Sequence, residues 1–209
     1  EGLRSGTCEP SVRDASWPDW QALRAANPEC VAWALVEGTG VDYPVCAPSD
    51  GDMARYLDID FWGRQSRLGC PFLDHRSTAD GTHALVYGHH LAGMRLMFSE
   101  LHDCDQQERF DGLGDLVWAT PAGGVHTPRP LCALSLDHDD ATVQRFAFGE
   151  DGELRFWLEG LCGRASARSA TWHQDCATAR RVVTLCTCSS VLGGQPERTL
   201  VLFAQPGEA

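Results

Sequence analysis

Three side chains able to perform acyl transfer stand at the ends of apolar runs in this 209-residue chain. The thiol is Cys188, which closes Thr184-Leu185-Cys186-Thr187-Cys188. The guanidinium is Arg198, ten residues on, at the head of Thr199-Leu200-Val201-Leu202-Phe203. The imidazole is His89, far upstream in Tyr87-Gly88-His89-His90 at the end of Ala84-Leu85-Val86. A cysteine attacks as its thiolate and needs a base or cation nearby to reach that form near neutral pH. A histidine supplies the base and can return the proton to a leaving group. Arginine stays protonated and donates several hydrogen bonds from a rigid plane, which suits a developing oxyanion. Nucleophile, base and oxyanion donor make up a covalent acyl-transfer site. An arbitrary cysteine is more often a buried packing residue, so the weight lies on the three groups occurring together at strand ends.

Strand alternation puts Cys186 on the same face as Cys188, where it lines a groove or packs. Thiols at i and i+2 of a regular strand are poorly placed for an unstrained bond, so a redox pair is the less favoured role. His90 reads as a neighbour in the groove or an exposed residue, and His75, His138 and His173 carry no motif and are left structural.

The elements that must position these groups are mostly strands. Eight β-rich runs stand out, at residues 31–36, 41–45, 69–73, 84–87, 116–120, 131–136, 181–187 and 199–203, suggesting a mixed sheet closed into a barrel. Trp17, Trp20, Leu23 and Ala26 recur near helical spacing, predicting a helix from about residue 16 to 26 with Pro18 in its first turn and Asn27-Pro28 as its stop. Further helices are expected at residues 97–109 and 153–161, the latter with Leu154, Trp157, Leu158 and Leu161 on one face.

No linker or composition break divides the chain, so one domain spans 1–209, with an N-terminal helical region at 1–30 and a barrel at 31–205. A formal charge of −12 argues against nucleic acid and against charge-driven docking on anionic lipid. All basic residues are arginine, so no side-chain amine is present to act as an acceptor. No stretch reaches the roughly 20 apolar residues that span a bilayer, and the start does not resemble a signal peptide. Ten cysteines suit an extracellular location, and one to three disulfides are expected, with connectivity left open. A Cys/His metal-binding module is the non-enzyme alternative. It is disfavoured because no Cys-x-x-Cys occurs and the histidines are scattered, so no metal or other cofactor is expected.

The Thr-Leu-x-Thr-Cys form with its trailing arginine, together with Tyr-Gly-His, resembles the signature of the sortases, membrane-anchored cysteine transpeptidases of Gram-positive bacteria. Resemblance to class B is carried by Val41-Asp42-Tyr43-Pro44-Val45, Arg55-Tyr56-Leu57, Gly69-Cys70-Pro71-Phe72-Leu73-Asp74 and Met97-Phe98-Ser99-Glu100-Leu101, in family order. It implies a sortase-type barrel with a helix in the long loop before the cysteine strand, and the catalytic set Cys188, His89 and Arg198. It also implies groove contacts from Leu57, at the floor, and from Val143, in the loop. The implied reaction cleaves a Thr-Gly-type bond in the C-terminal sorting signal of a secreted protein and passes the acyl group to a cell-wall precursor amine. A pilin-lysine acceptor and a purely hydrolytic cysteine peptidase are the enzymatic alternatives. The implied location is the extracellular face of the plasma membrane, through an N-terminal anchor. Class B enzymes often carry an acid two positions beyond the cysteine, where this chain has Ser189-Ser190, so no role for that acid is carried over.

Overall fold

The computed structural model describes residues 17–137, 139–149, 152–189 and 197–207, and of Cys188, Ser189 and Glu197 only the backbone. Ten strands form one sheet: β1 (Cys30–Val36), β2 (Asp42–Cys46), β3 (Phe72–Leu73), β4 (His83–His90), β5 (Leu116–Thr120), β6 (Gly124–His126), β7 (Arg129–Asp137), β8 (Ala167–Arg168), β9 (Ala179–Ser189) and β10 (Glu197–Pro206). Their hydrogen-bonded order is β6-β5-β1-β2-β3-β4-β9-β10-β7-β8. The helices are α1 (Trp20–Ala26), α2 (Arg55–Asp58), α3 (Gln107–Phe110), α4 (Glu153–Arg164) and α5 (Trp172–Thr178).

The sheet curls because its two halves share one core. Ala32, Ala34 and Trp118 of β1 and β5 cluster with Val86, Val183, Val201 and Ala133 of β4, β9, β10 and β7. The other face of β4, β9, β10 and β7 carries Leu85, Tyr87, Cys186, Leu200 and Leu136, covered by Leu158, Leu161 and Cys162 of α4 and by Cys176 of α5. Strands covered on both faces read as continuous apolar runs, as β4 does up to Gly88. β1, half covered, alternates buried and partly buried residues instead.

The mostly-β architecture with an N-terminal helix and a helix before the cysteine strand stands as expected. The strands number ten instead of eight and form a curled half-barrel, since β6 and β8 end the ladder. α1 begins at Trp20 because the Asp19 carboxylate caps it, accepting from the Ala22 amide at 2.9 Å. Pro18 therefore precedes the helix; residue 16, the expected start, lies outside the described residues. The expected helix at 97–109 is a 3-10 turn at Ser99–Leu101 followed by α3. Met97 takes a left-handed φ of 55°, which a helix beginning there cannot accommodate.

Candidate active site

The site begins with strand register. β4 and β9 run parallel, pairing Tyr87 with Cys186 and His89 with Cys188. β9 and β10 run antiparallel, pairing Cys186 with Leu200. The pairing runs to that rung, and next along, the Thr187 hydroxyl accepts from the Thr199 amide and donates to the Thr199 carbonyl, both at 3.2 Å. Tyr87, Cys186 and Leu200 belong to the outer cluster, so alternation puts positions 89 and 198 on that same face. Cys188 is the penultimate residue of β9 and Arg198 the second of β10, the strand-end positions expected of them. The Cys188 side chain lies outside the described residues, as does residue 190 of the serine pair.

His89 is anchored from below. Its Nε2 lies 2.7 Å from the Leu57 carbonyl oxygen, which can only accept, so Nε2 carries the hydrogen and the neutral ring has its lone pair at Nδ1. The carbonyl is held in turn by packing around Gly69, whose φ is +62°. A Cβ there would fall 2.4 Å from the Tyr56 oxygen, 3.0 Å from the Leu57 oxygen and 3.1 Å from His89 Cδ2. Gly88 has a different reason to be glycine, since a Cβ would lie 2.6 Å from the Phe98 ring. The Phe98 amide donates to the His89 carbonyl at 3.0 Å, completing the brace.

The half-buried Arg198 guanidinium rests 5.9 Å from the centre of the Tyr87 ring. The Tyr87 hydroxyl donates to Asp74 Oδ2 at 3.0 Å, and Arg76 grips the same fully buried carboxylate with bonds of 2.8 and 2.7 Å. Burial alone would raise the Asp74 carboxyl, but the hydrogen bonds and charge of Arg76 outweigh it and hold the group below its ordinary value. Burial, then the Asp74 charge, pushes the Tyr87 phenol up, so it remains a neutral donor.

Arg198, Cys186, Val143, Tyr87, Leu136 and Leu200 line one small hollow beside these groups. Cys186 and Val143 are both buried within its wall. The segment bearing Val143, between β7 and α4, is pinned by contacts to α4 and β4. Trp157 Nε1 donates to the Thr142 carbonyl at 3.0 Å, Arg164 pairs with Asp140 at 2.6 Å, and His83 Nδ1 donates to the Arg145 carbonyl at 2.8 Å. His83 Nε2 accepts from Thr184 on β9 at 2.8 Å, so this buried ring ties the segment to the cysteine strand. Burial depresses its pKa to about 4.

Leu57 contributes a main-chain oxygen to the histidine and is itself half-buried against the outer cluster. It is absent from the lining of the hollow that holds Val143 and Cys186. His90 stacks on His102 with ring centres 3.8 Å apart, His75 and His173 are exposed, and His138 lies outside the described residues. Tyr87, Asp74, Arg76 and Gly69 are supporting residues that spacing alone did not single out. Tyr87, Asp74 and Gly69 fall within the quoted motifs, where their types were the available signal. No disulfide joins any two of Cys30, Cys46, Cys70, Cys104, Cys132, Cys162 and Cys176, all of which are buried. Among the described residues no helix is long and apolar enough to cross a membrane, and no three His, Cys, Asp or Glu side chains gather as metal ligands.

The fold is that of a sortase-type cysteine transpeptidase. The chain is 30% identical to sortase B of Staphylococcus aureus over 187 residues, covering 88% of the chain and 73% of that relative. It therefore belongs to the class B sortases, enzymes of the Gram-positive cell surface. Its fold matches the Staphylococcus aureus sortase B-substrate complex with a TM-score of 0.75 at 23% identity, over 90% of this chain and 84% of that one. It matches Clostridium perfringens sortase B with a TM-score of 0.74 at 22% identity, over 88% and 97%. No protein-family model matches the chain.

Proposed function

We propose that this transpeptidase acts through Cys188 as nucleophile, His89 as acid and base, and Arg198 as oxyanion donor, cutting a C-terminal sorting signal and joining the released acyl group to a cell-wall amine. The observation that supports this reading is the register that pairs His89 of β4 with Cys188 of β9, beside β10, whose second residue is Arg198. The Cys188 thiolate attacks the scissile carbonyl, and the tetrahedral oxyanion forms within reach of the guanidinium. His89 gives its proton to the departing amine, and a thioester joins enzyme and substrate. An incoming amine, deprotonated by the same ring, then displaces the sulfur. Leu57, Val143 and Cys186 contact the signal peptide in the groove, with Val143 and Cys186 supported by their common hollow. The chain works as one catalytic domain over 1–209 with its barrel at 31–205, in keeping with the inner cluster that runs from Ala32 to Phe203. A structural neighbour solved as a sortase B-substrate complex supports substrate binding in general.

A peptide-library cleavage screen with and without added amines tests the reading. Transfer products that replace hydrolysis products as amine rises, with ping-pong kinetics, are expected. Hydrolysis unaffected by any amine contradicts it and favours a simple peptidase.

A further inference from the structure

We propose that the buried thiols of this chain, free in this structure, close on oxidation into two specific disulfides, Cys46–Cys70 and Cys162–Cys176, each from a pair of sulfurs in contact. At the first pair, Cys46 and Cys70 approach to 3.8 Å between sulfurs, while Cys30, although the strand partner of Cys46, turns its sulfur toward the Ala32 carbonyl at 3.9 Å. At the second, the sulfurs of Cys162 on α4 and Cys176 on α5 also lie 3.8 Å apart, with Cys132 of β7 against Cys162 as a third thiol. The two pairs lie in different parts of the outer cluster and share no residue, so each stands on its own contact. Oxidation would draw each pair of touching sulfurs together to about 2.05 Å, with the Cα atoms about 4.4–6.8 Å apart. An enzyme of the cell surface works where such bonds persist.

The chemistry is thiol–disulfide exchange with a small-molecule or protein disulfide. The two thiols of a pair lose their hydrogens, one S–S bond replaces two S–H bonds, and the oxidant leaves as two thiols. Hydrogen bonding to Cys46, then burial, raises the Cys70 thiol, and hydrogen bonding to Cys162, then burial, raises Cys176. Thiols so placed make poor attacking thiolates once packed, so the bonds close during folding. The first bond fixes the end of β2 to the segment that follows Gly69, where the Cys70 amide donates to the Tyr56 carbonyl beside the His89 anchor. The second clamps α4 to α5 across 14 residues of sequence.

The test refolds the fully reduced chain in a glutathione and glutathione-disulfide buffer, alkylates remaining thiols in denaturant, and maps the unreduced digest. Joined peptides containing Cys46 with Cys70 and Cys162 with Cys176 are expected, with Cys30 and Cys132 alkylated. A map in which Cys30 or Cys132 takes a partner's place, or in which all these cysteines are alkylated, overturns the pair concerned. As a second measurement, reductant should lower the Tm of the oxidised wild type by about 5 °C or more. The variant C46S with C162S should show no such response. A wild-type Tm indifferent to reductant overturns the proposal whether or not the variant folds.

Discussion

At His89 the useful property is a tautomer imposed from outside. The Leu57 carbonyl requires a hydrogen on Nε2, and Gly69 lets that carbonyl and the ring approach the chain closely. Gly69→Ala should therefore disturb the histidine as well as the turn. A Cβ at φ +62° that also meets a carbonyl should cost about 1–3 kcal/mol, read as a lowered Tm. The pH–rate profile should change shape in the same variant, whereas a change confined to Tm would reduce Gly69 to a turn residue. Arg198 presents the second case, since lysine keeps the charge and loses the fork. Arg198→Lys should lower kcat about 100-fold or more with little change in peptide binding, measured by steady-state kinetics beside direct binding to an inactive background. Wild-type turnover in that variant would remove the guanidinium from the chemistry. The strand-end positions of Cys188, His89 and Arg198 were legible because side-chain type and motif name them. The Leu57 oxygen was not, because any residue offers a main-chain acceptor and only folding reveals which one faces the ring.

Among the elements, β4 and the segment before α4 are coupled through one buried imidazole. His83 is neutral when folded, with burial holding its pKa near 4, against about 6.5 for a free ring. Below about 6.5 the unfolded chain takes up a proton that the folded chain refuses, so stability falls as pH drops from about 6.5 to about 4. Below that, both states are protonated and the loss stops growing, having reached on the order of 3 kcal/mol. His83→Gln should flatten this limb of a Tm-against-pH curve, and an unaltered limb would assign the acid sensitivity elsewhere. The long strands were readable because both their faces are covered, which writes them as unbroken apolar runs. β8, of two residues, and β6, of three, carry too little pattern to read, whereas the apolar run at 69–73 reached β3. α5 was missed because only Cys176 in it is buried, leaving no recurrent apolar face.

For the molecule as a whole, the sheet serves as a ruler that pairs residues 99 positions apart in sequence, such as His89 with Cys188. Any change that slips β4 against β9 by one residue would turn His89 to the opposite face, so catalysis depends on the pairing that also builds the core. Gly88→Ala tests this dependence, because its added carbon would collide with the Phe98 ring that braces β4. The variant should lose Tm and activity together, and full activity with a lowered Tm would separate the brace from the site.

The central claim is that the acyl group resides on Cys188. Mass spectrometry of the enzyme, quenched during turnover of a cleavable sorting-signal peptide without amine, tests it most directly. A thioester adduct mapped to Cys188, discharged when amine is added and absent from Cys188→Ala, is the predicted result. An adduct on another thiol, or continued turnover in Cys188→Ala, would contradict it.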